Sequence, residues 1–181
     1  MKFTRLEIPD VILIEPDVYQ DPRGWFFEGY HRAALAKNGI GEEFVQDNFS
    51  RSARGALRGL HYQIPPKAQA KLGRALRGKV FDVAVDLRKN SKTFGCSVGT
   101  VLSGENKRMI YIPRGFAHGF LVLEDDTDFL YKVSDFYSPE HERGILWNDP
   151  ELKIAWPEVK AEILLSEKDK HHPLFCQAAC F

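Results

Sequence analysis

Arg58-Gly59-Leu60-His61-Tyr62-Gln63 is the stretch on which the reading of this chain turns. It is short and bounded by Pro65-Pro66, so it reads as a strand. Simple alternation places Gly59, His61 and Gln63 on one face, and Arg58, Leu60 and Tyr62 on the other. Gly59 then leaves open space beside His61, which suits close approach of a ligand. Taken alone, His61 reads more readily as a core histidine with one bonded ring nitrogen. The rest of the chain changes that balance.

Strand patterns extend on both sides. Val11 to Glu15 is a short apolar run ended by Pro16, Asp21-Pro22-Arg23-Gly24 has turn composition, and Trp25 to Glu28 reads as an aromatic strand. His31 to Asn38, stopped by Gly39, is the best helix candidate. Phe44 to Ser50 reads as a strand and Arg51 to Gly55 as a turn. The Ala56 to Ile64 and Lys71 to Leu76 strands follow. Lys79 to Arg88 carries the clearest alternation: Phe81, Val83, Val85 and Leu87 on one face, Asp82, Ala84 and Asp86 on the other. Phe94 to Leu102, Arg108 to Ile112, Gly115 to Leu123 and Asp128 to Asp135 complete a series of closely spaced strands. Such spacing predicts an all-β antiparallel sandwich or barrel. With no repeat or linker, residues 1–181 read as a single domain, less regular and more polar from about residue 138.

A chain of 181 residues has room for a sizeable core. Its formal net charge of zero supplies no global field for nucleic acid or anionic membranes. An anionic small ligand would need a local arginine cluster instead. Met1 to Pro9 holds no apolar segment of signal-peptide length, and no window reaches a membrane span. Cys96, Cys176 and Cys180 do not form a disulfide framework, so a cytoplasmic location is expected. Cys176 and Cys180, with His171 and His172 close by, are weak as a metal set and read as part of a solvated tail. No dinucleotide or phosphate-binding glycine loop is present.

A second informative stretch is Ile112-Pro113-Arg114-Gly115-Phe116-Ala117-His118-Gly119-Phe120. Its Pro-x-Gly-x-x-His spacing resembles the second motif of cupins, small jelly-roll barrels. Metal-binding cupins carry a His-x-His pair in their first motif, whereas the matching pair here is His61-x-Gln63. A His61, Gln63 and His118 set is poor for zinc or iron. No metal is expected, which leaves both histidines for acid–base work.

Several stretches taken together resemble the dTDP-4-dehydrorhamnose 3,5-epimerase family. They include Asp21-Pro22-Arg23-Gly24, Val45-Gln46-Asp47-Asn48, Leu57 to Gln63, Lys71-Leu72, Phe81 to Arg88 and Ile112 to Phe120. Tyr131-Lys132, Trp147-Asn148-Asp149-Pro150 and Ser166-Glu167-Lys168-Asp169 complete the set, in order, from about residue 10 to residue 170. Gly73, where a larger apolar residue is expected, and the His171-His172-Pro173 tail depart from the pattern.

The resemblance implies a cupin jelly roll, a homodimer with exchanged strands, no cofactor, and the substrate dTDP-4-dehydro-6-deoxyglucose. Carbons 3 and 5 flank the carbon 4 ketone, so their protons are the acidic ones. His61 suits the base, an imidazole being poised near working pH. Lys71 suits the stabiliser of the enolate oxygen, and Tyr131 the acid on the opposite face. By resemblance Asp169 orients His61, and His118 bonds near the reacting ring. Arg23, Arg58 and Arg51 are candidates for the diphosphate, and Gln46 and Asn48 for thymine or sugar. Arg23 and Glu28 are expected from the partner subunit; Glu142 and Lys168 complete the implied binding set. Alternation conflicts with this set at one point, since it turns Arg58 away from His61 unless a bulge or twist re-aims it. Two other readings stay open: a non-catalytic sugar- or metal-binding cupin, and a related epimerase acting at one carbon only.

Overall fold

The computed structural model describes residues 1–181. In chain order the strands begin with β1 (Lys2–Arg5), β2 (Ile12–Glu15), β3 (Tyr19–Asp21) and β4 (Gly24–Phe26), then helix α1 (Arg32–Lys37). Next come β5 (Gln46–Ser52), β6 (Leu57–Gln63), β7 (Lys71–Arg77), β8 (Lys79–Asp86) and β9 (Ser97–Ser103). β10 (Met109–Ile112), β11 (Phe116–Val122), β12 (Thr127–Val133) and β13 (Glu142–Gly144) complete the strands. Helix α2 (Glu167–Lys170) and a 3-10 turn (Phe175–Gln177) lie near the end. One antiparallel sheet runs β1-β2-β10-β7-β12-β5 and the other β13-β6-β11-β8-β9, with β3 and β4 as a separate hairpin. This is the all-β cupin jelly roll.

Most expected strands are present with shifted ends. β5 continues through Arg51 to Ser52, so the turn before β6 is shorter than its composition indicated. The aromatic strand is trimmed to Gly24–Phe26 because it pairs only with Tyr19–Asp21. Their turn is closed locally: Arg23 N donates to Asp21 Oδ1 at 2.8 Å, and Gly24 takes φ 129°. α1 has His31 as its cap, whose ring accepts from Ala34 N. β1 and β13 were not anticipated; both are short and gain their order from neighbouring strands.

The space between the sheets is filled by Leu13, Ala75, Ile110, Ile112 and Phe129 from one side and Val80, Ala84, Leu102, Phe116 and Phe120 from the other. Gly73 fits here, since a side-chain carbon would sit 2.9 Å from Phe129 Cζ. β8 is buried on both faces. Val83 and Val85 point outward into a second core made with Ile145, Leu152 and Phe175. Its acidic positions are also buried, each with partners. Burial would raise Asp86, but bonds from Arg88, Ser91 and Thr93 bring it down to about 2.

That second core corrects the reading of the C-terminal segment as a solvated tail. The segment is irregular but packs over the outer face of the second sheet. The buried Asp149 carboxylate accepts from Leu152 N at 3.0 Å and Phe175 N at 2.8 Å, pinning two points of it. Phe181 N donates to Leu87 O at 2.9 Å. Apolar positions spaced without period (Ile145, Leu152, Phe175) hide such a segment from pattern reading.

Phe175, 6% exposed, is the plug of this cover. Phe175→Ala should destabilise the fold by about 3–5 kcal/mol, read by urea denaturation. A loss below about 1 kcal/mol would mean that the segment contributes little packing.

Candidate active site

The site begins with an irregularity in β6. His61 pairs with His118, but Arg58 pairs with Phe120, so Gly59 and Leu60 together oppose Gly119. One extra residue reverses the alternation. Arg58 and His61 thereby share the inner face, which resolves the conflict left by simple alternation. The role expected for Gly59 is corrected by the same geometry. A side-chain carbon there would sit 2.5 Å from Gly119 Cα, and φ is 134°. Gly59 serves close backbone approach of two strands, not open space for a ligand.

A cavity of about 400 Å³ opens between the sheets at the end where β5, β7 and β12 face β6, β11 and β13. Asn48, Lys71 and Tyr131 line one wall; Arg58, His61, His118 and Glu142 line the other, with Lys168 and Asp169 arriving from α2. Phe120 also lines it and stacks on Phe129 at 4.3 Å, joining the site to the core.

His61 Nε2 lies 2.5 Å from Asp169 Oδ1. Ser166 caps α2, its hydroxyl accepting from Asp169 N, and so places that carboxylate. Burial would raise the Asp169 carboxyl, but hydrogen bonds from His172 and His61 hold it well below the usual carboxylate range. His118 forms a second pair, Nε2 lying 2.9 Å from Asp82 Oδ2. Burial pushes His118 down, opposed by Asp82. Lys71 is 7% exposed and donates to His61 O at 3.0 Å. Burial pushes its ammonium down to about 8, against the pull of Asp82 and Glu142. Burial raises the Tyr131 phenol. An imidazole–carboxylate pair, a buried cation and a protonated phenol therefore converge on one cleft from two sheets. That combination suits proton transfer beside a carbonyl.

Some residues named from the sequence fall elsewhere. Gln46 supports the wall, its Nε2 donating to Asn48 Oδ1 at 2.8 Å. Arg51 is taken by Asp128, Nε and Nη2 each 2.7 Å from its oxygens. Arg23 and Glu28 lie on and just after the exposed β3–β4 hairpin, outside this cavity. Gln63 is committed to the backbone, donating to Lys67 O at 2.6 Å and accepting from Ser138 N at 2.8 Å. With His118 held by Asp82, His61, Gln63 and His118 do not form a ligand set. His61, Asp169 and His172 have donor atoms within 4.8 Å of one another, but both imidazoles aim at one Asp169 oxygen in a hydrogen-bonded relay. Pattern reading missed Tyr137, whose hydroxyl donates to Glu142 Oε2 at 2.7 Å, and missed His172. The doubled histidine at 171–172 was the available signal for the latter.

The sequence matches the family model described as dTDP-4-dehydrorhamnose 3,5-epimerase over residues 5–177. A relative of that name from Pseudomonas aeruginosa is 62% identical over 182 residues, covering 100% of this chain and 99% of its own. The crystal structure of dTDP-6-deoxy-D-glucose-3,5-epimerase from Legionella pneumophila, in complex with dTDP-4-keto-L-rhamnose, superposes with a TM-score of 0.94. It is 48% identical, over 98% of this chain and 94% of that one. A dTDP-4-dehydrorhamnose 3-epimerase from Streptomyces niveus is 40% identical over 98% of this chain and 86% of its own.

Lys71 should titrate near 8, charged below that pH and neutral above it. NMR of lysine side chains across a pH series reads this directly. A Lys71 midpoint at the ordinary value of about 10.4 would show that the site is wet and the cation undisturbed.

Proposed function

The chain belongs to the dTDP-4-dehydrorhamnose 3,5-epimerase family, and we propose that it inverts its substrate between a His61 base on one sheet and a Tyr131 acid on the other. The reaction is epimerisation of dTDP-4-dehydro-6-deoxy-D-glucose at carbons 3 and 5, in dTDP-rhamnose synthesis. The observation that carries the assignment is the His61–Asp169 pair, 2.5 Å apart, lining the same cavity as Tyr131 and Lys71.

Asp169 fixes the His61 ring through Nε2 and leaves Nδ1 to take a proton from the carbon beside the ketone. Charge then moves onto the carbon 4 oxygen. Lys71, held dry and cationic at neutral pH, stabilises that oxygen more than the ground-state carbonyl. Tyr131 returns a proton to the opposite face of the same carbon. Its raised pKa keeps the hydroxyl protonated until the enolate forms. One inversion leaves an imidazolium and a phenolate, and solvent resets both. His118, anchored by Asp82, is placed to bond the sugar ring.

The nucleotide lies toward Asn48, Arg58, Glu142 and Lys168 in this reading. Arg58 is steadied by Ser52 Oγ, 3.1 Å from Nη2, and offers its guanidinium to the diphosphate. Gln46 acts behind Asn48. The β3–β4 hairpin exposes Tyr19, Trp25 and Phe26, an apolar patch suited to burial against a second copy. A homodimer exchanging this hairpin would bring Arg23 and Glu28 to the other copy's cavity. The free thiols of Cys96, Cys176 and Cys180 fit a cytoplasmic enzyme. No helix is long and apolar enough to cross a membrane.

Tyr131→Phe keeps the ring and deletes the hydroxyl. In deuterated water it should still exchange label at one or both carbons, while net inversion falls by about 10²–10⁴-fold. Equal loss of exchange and inversion would assign the hydroxyl to enolate formation or binding instead. Inversion at the wild-type rate would make another group the acid. Label confined to carbon 3 in the wild type would place this chain with the single-carbon epimerases.

Chelators should leave turnover unchanged, since the reading gives every proton and charge to a side chain. Activity lost on chelation and restored by one metal ion would overturn that assignment.

A further inference from the structure

Asp169 does not serve His61 alone. The same Oδ1 that faces His61 lies 3.2 Å from His172 Nε2. The two imidazoles stand edge to face, centroids 5.4 Å apart at 77°. The His172 side chain is 8% exposed, and it does not line the cavity. Its ring lies against the backbone of Gly144, where any side-chain carbon would collide with it. Gly144 is the direct register partner of His61. It is not among the glycines with positive φ, so its lack of a side chain makes room for this ring rather than for a turn. Two positions far apart in sequence, 144 and 172, are thus matched to hold one imidazole behind the pair.

The geometry points to His172 as a positioning residue that shares the Asp169 carboxylate with His61 and weakens its hold on the His61 proton. This rests on the reading of His61 as the base. The argument is one of competition for a single oxygen. A carboxylate that accepts two N–H bonds has less negative charge to offer either donor. Without the second donor, Asp169 would favour imidazolium at His61 and take the base out of action at higher pH. His172 therefore widens the working range on the acid side. It also ties the carboxylate to the segment that follows α2, restricting its rotation.

Other charges face this cluster and stay in place when His172 is changed. Glu142 and Arg143 come from β13, Lys168 from α2, His171 from the same segment and Tyr62 from β6. Lys71 lies across the cavity, and His118, paired with Asp82, stands beside His61 on the neighbouring strand. Lys168 pairs with Glu142, so the nearest carboxylate is already engaged.

The test is the pH profile of kcat/KM for a set of variants. His172→Ala should move the acid limb up by about half to one pH unit. His172→Gln, which restores an N–H donor that does not titrate, should return it toward the wild-type position. Gly144→Ala displaces the ring without altering it, and should reproduce the His172→Ala shift. An unmoved acid limb in His172→Ala would overturn the proposal. So would equal displacement in the Ala and Gln variants, which signals packing alone, or a rise in KM with an unchanged profile, which signals substrate contact. NMR titration of the His61 ring in the free protein reads the same shift without turnover. Failure of the base assignment is seen separately, as exchange persisting in His61→Ala.

Discussion

The hydrogen bond between Asp169 and His61 joins residues 108 positions apart, and the working geometry depends on it. A buried carboxylate must be bonded to be tolerated, and this one is bonded from both sides. It can reach His61 only because the C-terminal segment wraps the outer face of the second sheet. Asp149 fastens that segment, Phe175 seats it, and Ser166 turns the last helix so that Asp169 faces inward. The irregular segment is therefore part of the cavity wall although almost none of it is regular structure.

The barrel contributes separation. His61 and Tyr131 stand on different sheets, so a ring held between them would meet an imidazole on one face and a phenol on the other. Adjacent groups on one strand could not do this. The inner walls also supply a low-dielectric setting for Lys71, whose burial makes its charge both costly to hold and strong in effect. Asp82 and Glu142 offset part of that cost. The stacked Phe120 and Phe129 join the cavity to the apolar core.

Much of this was legible in one dimension. Alternation in Lys79 to Arg88 announced a buried strand, because a period of two is a property of the extended backbone itself. His31 and Gly39 bracketed the helix because capping is local. His61, Lys71, His118, Tyr131 and Asp169 were all named from motif order, and all five line one cavity.

What sequence alone could not decide is which residues face each other. Alternation assumes an unbroken ladder, and the side on which Arg58 emerges depends on Gly119 of a strand sixty residues away, where two backbones approach too closely for a side chain. The same holds for the tail. Nothing local distinguishes His172 from a solvated histidine; its place is set by a gap at Gly144 and a carboxylate presented by another turn. Local periodicity and turn chemistry determined the strands and the helix, and the order of motifs shared with a known family named the candidate reactive groups. Tertiary structure decided their facing and their burial, because both arise from contacts between segments that carry no trace of each other in the linear order.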